Sequence, residues 1–69
     1  MARLRTNLDV RGYAALHDVR LGDIASYLGI THSTFSIKYM SDELSKDQKY
    51  MLKKVIDQIV RDRDDDRRI

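Results

Sequence analysis

Sixty-nine residues are enough for one domain, near the lower size limit at which a single core folds without staples. There is no cysteine to supply a disulfide or a thiolate metal site, and the lack of proline with only three glycines disfavours a turn-rich sheet protein. A content of 42% apolar and 35% charged residues is globular rather than disordered, and no apolar run approaches the ~20 residues needed to cross a bilayer. The formal charge of +2 is unevenly placed: residues 1–40 carry five basic side chains against three acidic ones, and residues 41–69 balance to zero. Any basic surface therefore belongs to the first half of the chain.

The start, MARLRTNLDV, has early arginines with no apolar run after them, which predicts no cleaved secretory signal and a reduced, cytoplasmic setting. Residues 1–6 lack periodicity and are expected to form a flexible basic arm, with Arg3 and Arg5 as candidates for contacts to phosphates or a minor groove. Asn7 is suited to cap a first helix from Leu8 to about Asp18, in which Val10, Tyr13, Ala14 and His17 recur at i, i+3, i+4 and i+7. Gly12 costs that helix roughly 1 kcal/mol against alanine. His17 reads as a helix-end residue beside the C-terminal dipole rather than a ligand or base. Val19 is expected to tuck into the core, and Asp18 or Arg20 to begin the second helix, without a good capping residue.

From Leu21 to Tyr39 the sequence LGDIASYLGITHSTFSIKY contains two short helical periods separated by a turn. Leu21, Ile24, Ala25 and Leu28 make one side of the second helix apolar, and Gly29 ends it, because glycine takes the left-handed conformation without a Cβ penalty. Ile30 follows as an inward plug. Thr31 is an N-cap for a third helix from about His32 to Tyr39, anchored by Phe35 and Tyr39 and small and polar on its other face. Such a pair reads as a helix-turn-helix, whose second helix suits insertion into a DNA major groove.

Met40 to Leu44 reads as a connecting loop with Leu44 as its inward anchor. Ser45 with Gln48 three residues later makes a capping box. The fourth helix is expected from Lys46 to about Arg61, with Leu52, Val55, Ile56 and Ile59 as its apolar stripe and Lys49, Lys53 and Asp57 facing out. Tyr50, Met51 and Val60 widen the stripe beyond a single seam, either to cover the helix-turn-helix from a second side or to form a self-association surface. Residues 62–69 hold four aspartates and three arginines and are expected to be a disordered charged tail. The predicted fold is thus all-α: a compact four-helix domain over residues 7–61 with a central helix-turn-helix in helices two and three and a long C-terminal helix.

The stretch from Val10 to Lys38 resembles the lambda-repressor/Cro-type helix-turn-helix family, and in particular its small phage-type regulators. Ile24-Ala25, Leu28-Gly29-Ile30 and Phe35 stand where that family places its apolar pair, its turn and its buried recognition-helix residue. Residues 29–38, Gly-Ile-Thr-His-Ser-Thr-Phe-Ser-Ile-Lys, look like phage variants reading Gly-Ile-Ser-x-x-Thr-Phe-Ser-x-Lys. The resemblance covers about half of the chain. It implies transcriptional control by binding a double-stranded operator, as a homodimer on paired half-sites.

Carried over by position, His32, Ser33, Ser36 and Ile37 would face base edges, and Arg20, Thr31, Thr34 and Lys38 would lie near phosphates. Two positions depart from the pattern. Leu21 stands where relatives often have a glutamine against the DNA backbone, and the loop after the recognition helix reads Ser41-Asp42-Glu43 where relatives are often basic. These departures favour a second reading, a modulator or antirepressor that keeps the fold but binds another protein such as a repressor. Candidates for that protein interface are Leu21, Met40, Tyr50, Met51 and Val60. No enzyme, cofactor, metal site or membrane role is expected: a small helical domain has little room for a catalytic pocket, and its two histidines, fifteen residues apart, fall on different helices.

Overall fold

In the computed structural model, which describes residues 6–67, the chain folds into four helices with no strand among the described residues. Helix α1 spans Leu8–Leu16 and α2 spans Leu21–Leu28. Helix α3 (His32–Phe35) runs on without a break into a π-helical turn, Ser36–Met40, and α4 spans Lys46–Arg67. Helix α4 packs across both α1 and α2, and α2 packs on α3.

The core takes its side chains from every element. Val10 and Ala14 of α1, Val19 of the first connection, Ile24 and Ala25 of α2, Phe35, Met40, and Leu52, Val55 and Ile56 of α4 are all buried. Tyr13, Leu21, Leu28, Ile30, Tyr39, Leu44, Met51, Ile59 and Val60 pack around them, partly buried. Removing a large apolar side chain such as Phe35 from water stabilises the fold by about 1.5–3 kcal/mol, and in a domain this small such residues carry much of its stability.

Both short helices close by the same device. Gly29, at φ 78°, lets the Ile30 N–H reach the Ala25 carbonyl and its own N–H reach that of Ser26. One helix earlier Asp18, at φ 56°, does the same, with the Val19 N–H on the Ala14 carbonyl at 2.8 Å and its own N–H on that of Ala15. This ends α1 at Leu16 rather than at Asp18. Aspartate is one of the few non-glycine residues that tolerate this region of backbone space, and the closure turns Val19 into the core. The start of α2 needs no capping side chain at Arg20. Asp23 accepts the Arg20 N–H at its Oδ2, and its own N–H returns to the Arg20 carbonyl.

Asn7 departs from its expected role. It precedes α1 in a left-handed conformation, φ 55°, and its side chain caps nothing. Instead it is fully buried and reaches across to the loop after the π turn: Nδ2 donates to the Tyr39 carbonyl at 3.0 Å and the Asp42 carbonyl at 2.9 Å, and Oδ1 accepts the Leu44 N–H at 2.8 Å. Its own backbone N–H donates to Glu43 Oε1. An irregular loop has no ladder to satisfy its backbone groups, and the amide of Asn7 supplies the missing partners.

Two expectations for α4 are corrected. Its helix does not stop at Arg61 but continues to Arg67, so residues 62–67 are not a disordered tail. No proline or glycine interrupts that run, Gln58 donates to Asp62 within it, and Arg63 ties it to the body by donating to the Asp18 carbonyl and to Asp23 Oδ2. Nor do Lys49, Lys53 and Asp57 face solvent. They line the side of α4 that meets α1: Lys49 pairs with Glu43 and Asp9, the Lys53 ammonium lies 5.9 Å from the Tyr13 ring centre, and Asp57 accepts the Tyr13 hydroxyl. The arm residues 1–5, with Arg3 and Arg5, fall outside the described residues.

Candidate nucleic-acid interface

The outward face of α3 is set by the way its opposite face is held. Phe35 is fully buried, and its ring meets that of Tyr39 at 5.2 Å, which fixes the helix about its own axis. His32, Ser33, Thr34, Ile37 and Lys38 are then exposed, while Ser36 is half-buried at the edge. Thr31 caps the helix as expected, its Oγ1 accepting the Thr34 N–H at 3.1 Å while its hydroxyl donates to Thr34 Oγ1 at 2.9 Å. The two threonines thus hold one another and leave His32 and Ser33 as the leading polar side chains.

The π turn was not foreseen. The insertion of a wider turn over Ser36–Met40 rotates the last residues of the helix relative to an α-helical course. Ile37 is left 74% exposed and Met40 only 4%. Met40 therefore cannot form part of a protein interface, because it is a core residue. The Ser41 hydroxyl donates to the Ile37 carbonyl, and the Met40 carbonyl accepts the Thr6 hydroxyl, so the carbonyls of this wide turn find side-chain partners.

His32 does not stand alone. Gly22 in the first turn of α2 lies so close that a Cβ there would sit 4.0 Å from His32 Cδ2. Around this junction runs an open groove of about 740 Å³, lined by Arg11 of α1, Arg20, Leu21 and Ser26 of the α2 region, and His32. Two of the expected contact residues, Arg20 and His32, are thus brought together. Arg11 was missed: it belongs to another helix, and no spacing in the sequence connects it to the helix-turn-helix. Its Nε donates to the Thr6 carbonyl at 2.6 Å, which ties it to the arm side of the molecule. Among the described residues neither Arg11, Arg20 nor Lys38 enters an ion pair, and the Lys38 ammonium lies over the Tyr39 ring at 5.9 Å.

The acidic loop is partly neutralised by its own surroundings. The Lys49 ammonium and then the Asn7 N–H stabilise the Glu43 carboxylate and hold its pKa below the usual value, and Glu43 in turn raises that of Lys49. Desolvation pushes Asp9 up, but the Val10 N–H and Lys49 outweigh it, and its pKa is lowered. At the other end of this seam the hydrogen bond to Asp57 raises the Tyr13 hydroxyl. Of the remaining candidates for a protein interface, Leu21, Met51 and Val60 are half-buried against the core, and Tyr50 is 63% exposed with the Lys54 ammonium 5.4 Å from its ring centre.

Comparison with protein-family models, with curated proteins and with solved structures returns no match. Among the described residues no helix is long and apolar enough to cross a membrane.

Proposed function

We propose that this chain is a sequence-specific DNA-binding transcriptional regulator of the phage or bacterial type, acting in the cytoplasm as a dimer with α3 in the major groove. The observation that carries the reading is the junction of α2 and α3, where exposed His32 shares one open groove with Arg20, Arg11 and Asp23, and exposed Ser33 follows His32 on α3. Phosphate contacts need cations that are not already paired, and base readout needs exposed hydrogen-bonding groups next to them. A neutral histidine donates or accepts, serine hydroxyls do both, and the exposed Ile37 suits a thymine methyl. Lys38 and Arg20 act as phosphate contacts in this reading. Specificity then comes from hydroxyl, imidazole and methyl contacts, because neither arginine, asparagine nor glutamine stands on the outward face of α3.

The test is an NMR titration of the chain with duplex DNA from its own upstream region at low salt. The His32, Ser33 and Ser36 amides are expected to shift, and log affinity to fall with log salt at a slope of about −0.9 per phosphate neutralised. Unmoved amides at 50 mM salt sink the proposal. A second reading, a modulator or antirepressor that binds a repressor, is favoured by one observation: Ile37, beside the recognition residues, is 74% exposed. A stoichiometric protein partner copurified from the native host or prophage, with no DNA response, decides for it.

A further inference from the structure

The groove between α1, α2 and α3 contains one acidic side chain. Arg11, Arg20 and His32 line it together with Asp23, so with a neutral histidine its lining holds two positive charges and one negative. A carboxylate there works against phosphate contacts, both by repelling the polyanion and by competing for the nearest guanidinium. The nearest in sequence is that of Arg20, three residues before Asp23, a spacing at which side chains on one helical turn meet. Asp23 has a task of its own, however. Its Oδ2 accepts the Arg20 N–H at 2.9 Å and so closes the start of α2, where no other side chain caps the helix.

The opposing charge comes from the far end of the chain. Arg63 of α4 places Nη2 3.0 Å from the same Oδ2 of Asp23 and Nη1 2.7 Å from the Asp18 carbonyl, so both prongs of its guanidinium are held. Arg63 does not line the groove. It reaches Asp23 from the α4 side, where it borders a separate hollow with His17, Asp18 and Val60. As a stability device the ion pair is minor, because its two side chains are 38% and 40% exposed and solvent screens such pairs. Its larger effect is on the charge of the groove.

We propose that Arg63 is a positioning residue of the DNA-binding face, which engages Asp23 and thereby leaves Arg20 to a phosphate. Counting Arg63, the net charge around the groove rises from one to two. The inference rests on the operator reading and extends it to the charged end of α4, which touches no DNA itself. The magnitude follows from counterion release. Losing one effective phosphate contact lowers the slope of log affinity against log salt by about 0.9, which is about tenfold in affinity near 50 mM salt and about fourfold near 200 mM.

The test is a set of fluorescence-anisotropy titrations of the full chain with a labelled duplex from its own upstream region, at salt concentrations between those two. Arg63→Met is expected to bind about tenfold more weakly than the wild type at the low end and to show the smaller slope. Asp23→Asn keeps an acceptor for the Arg20 N–H and removes the carboxylate, so in that background Arg63→Met should change affinity less than twofold. Arg63→Lys, which keeps a charge beside Asp23, should bind within threefold of the wild type. If Arg63→Met weakens binding equally with and without Asp23→Asn, Arg63 acts only by holding the end of α4, and the proposal is overturned. It is also overturned if Arg63→Met binds like the wild type, or if Arg63→Lys binds as weakly as Arg63→Met. A wild type that gives no DNA response is a different failure, which removes the operator reading and this inference with it.

Discussion

Replacing Asn7 is the sharpest perturbation this structure offers. In Asn7→Ala three hydrogen bonds disappear at once, those to the Tyr39 and Asp42 carbonyls and from the Leu44 N–H, and the site is fully buried. At about 1 kcal/mol net for each bond, the loss is roughly 3 kcal/mol, and a buried N–H left without a partner pushes the figure upward. Alanine at φ 55° adds about 1 kcal/mol of backbone strain. The expected total of about 4 kcal/mol compares with roughly 3–10 kcal/mol for the whole domain at typical stability per residue. The assay is urea denaturation followed by far-UV circular dichroism, with Asn7→Gly as the companion. Glycine removes the same bonds but not the left-handed conformation, so it should lose about 3 kcal/mol. Hydrogen exchange at the Leu44 amide should accelerate in both. An Asn7→Ala chain within 1 kcal/mol of the wild type would refute the account of Asn7 as the clamp on this loop.

Three further outcomes follow from other residues. Asp18→Gly should stabilise the chain by about 0.5–1 kcal/mol in the same urea assay, since glycine adopts φ 56° without strain and the carbonyl that Arg63 uses is backbone. Arg11→Ala should reduce the salt slope of DNA binding by about one, with little change in which sequence is preferred, whereas an unchanged slope removes Arg11 from the interface. Stability contributed by the α1–α4 seam should fall at both pH extremes. The depressed carboxyls of Asp9 and Glu43 contribute above their ordinary values of 3.8 and 4.5 and lose that contribution as pH falls through their lowered folded values. Lys49 and Tyr13, both raised, contribute below their ordinary 10.5 and 10.0 and lose it as pH rises through the raised ones. Thermal melts of the wild type beside Lys49→Met check the seam: the variant should melt lower at pH 7 and show a smaller loss on acidification.

The periodicity of α2, the turn at Gly29, the caps at Thr31 and Ser45, and the buried stripe of α4 are all legible in the sequence. Each depends on residues within about eight positions of one another, where backbone conformation and helical spacing decide the outcome. Asp18 shows the limit of such rules: aspartate closes α1 as glycine closes α2, but sequence patterns assign that place to glycine. The end of α4 shows another. RDRDDDRR reads as a solvated charge run, yet Arg63 finds Asp23 and the Asp18 carbonyl forty or more residues away.

The candidate site divides along the same line. Its exposed residues on α3, His32, Ser33, Ile37 and Lys38, follow from the helix-turn-helix pattern once Phe35 is taken as the buried anchor. The grouping of Arg11 with Arg20 and His32, the inward turn of Met40, and the use of Asn7 to hold the loop were decided only in three dimensions. The physical reason is that local sequence sets which residues share a helix face, whereas the partners of a side chain on that face depend on how distant helices pack. By itself the sequence determined four helices and the turn that joins two of them. Tertiary packing decided which charges were spent inside the fold, Lys49, Asp57 and Arg63 among them, and which were left facing outward.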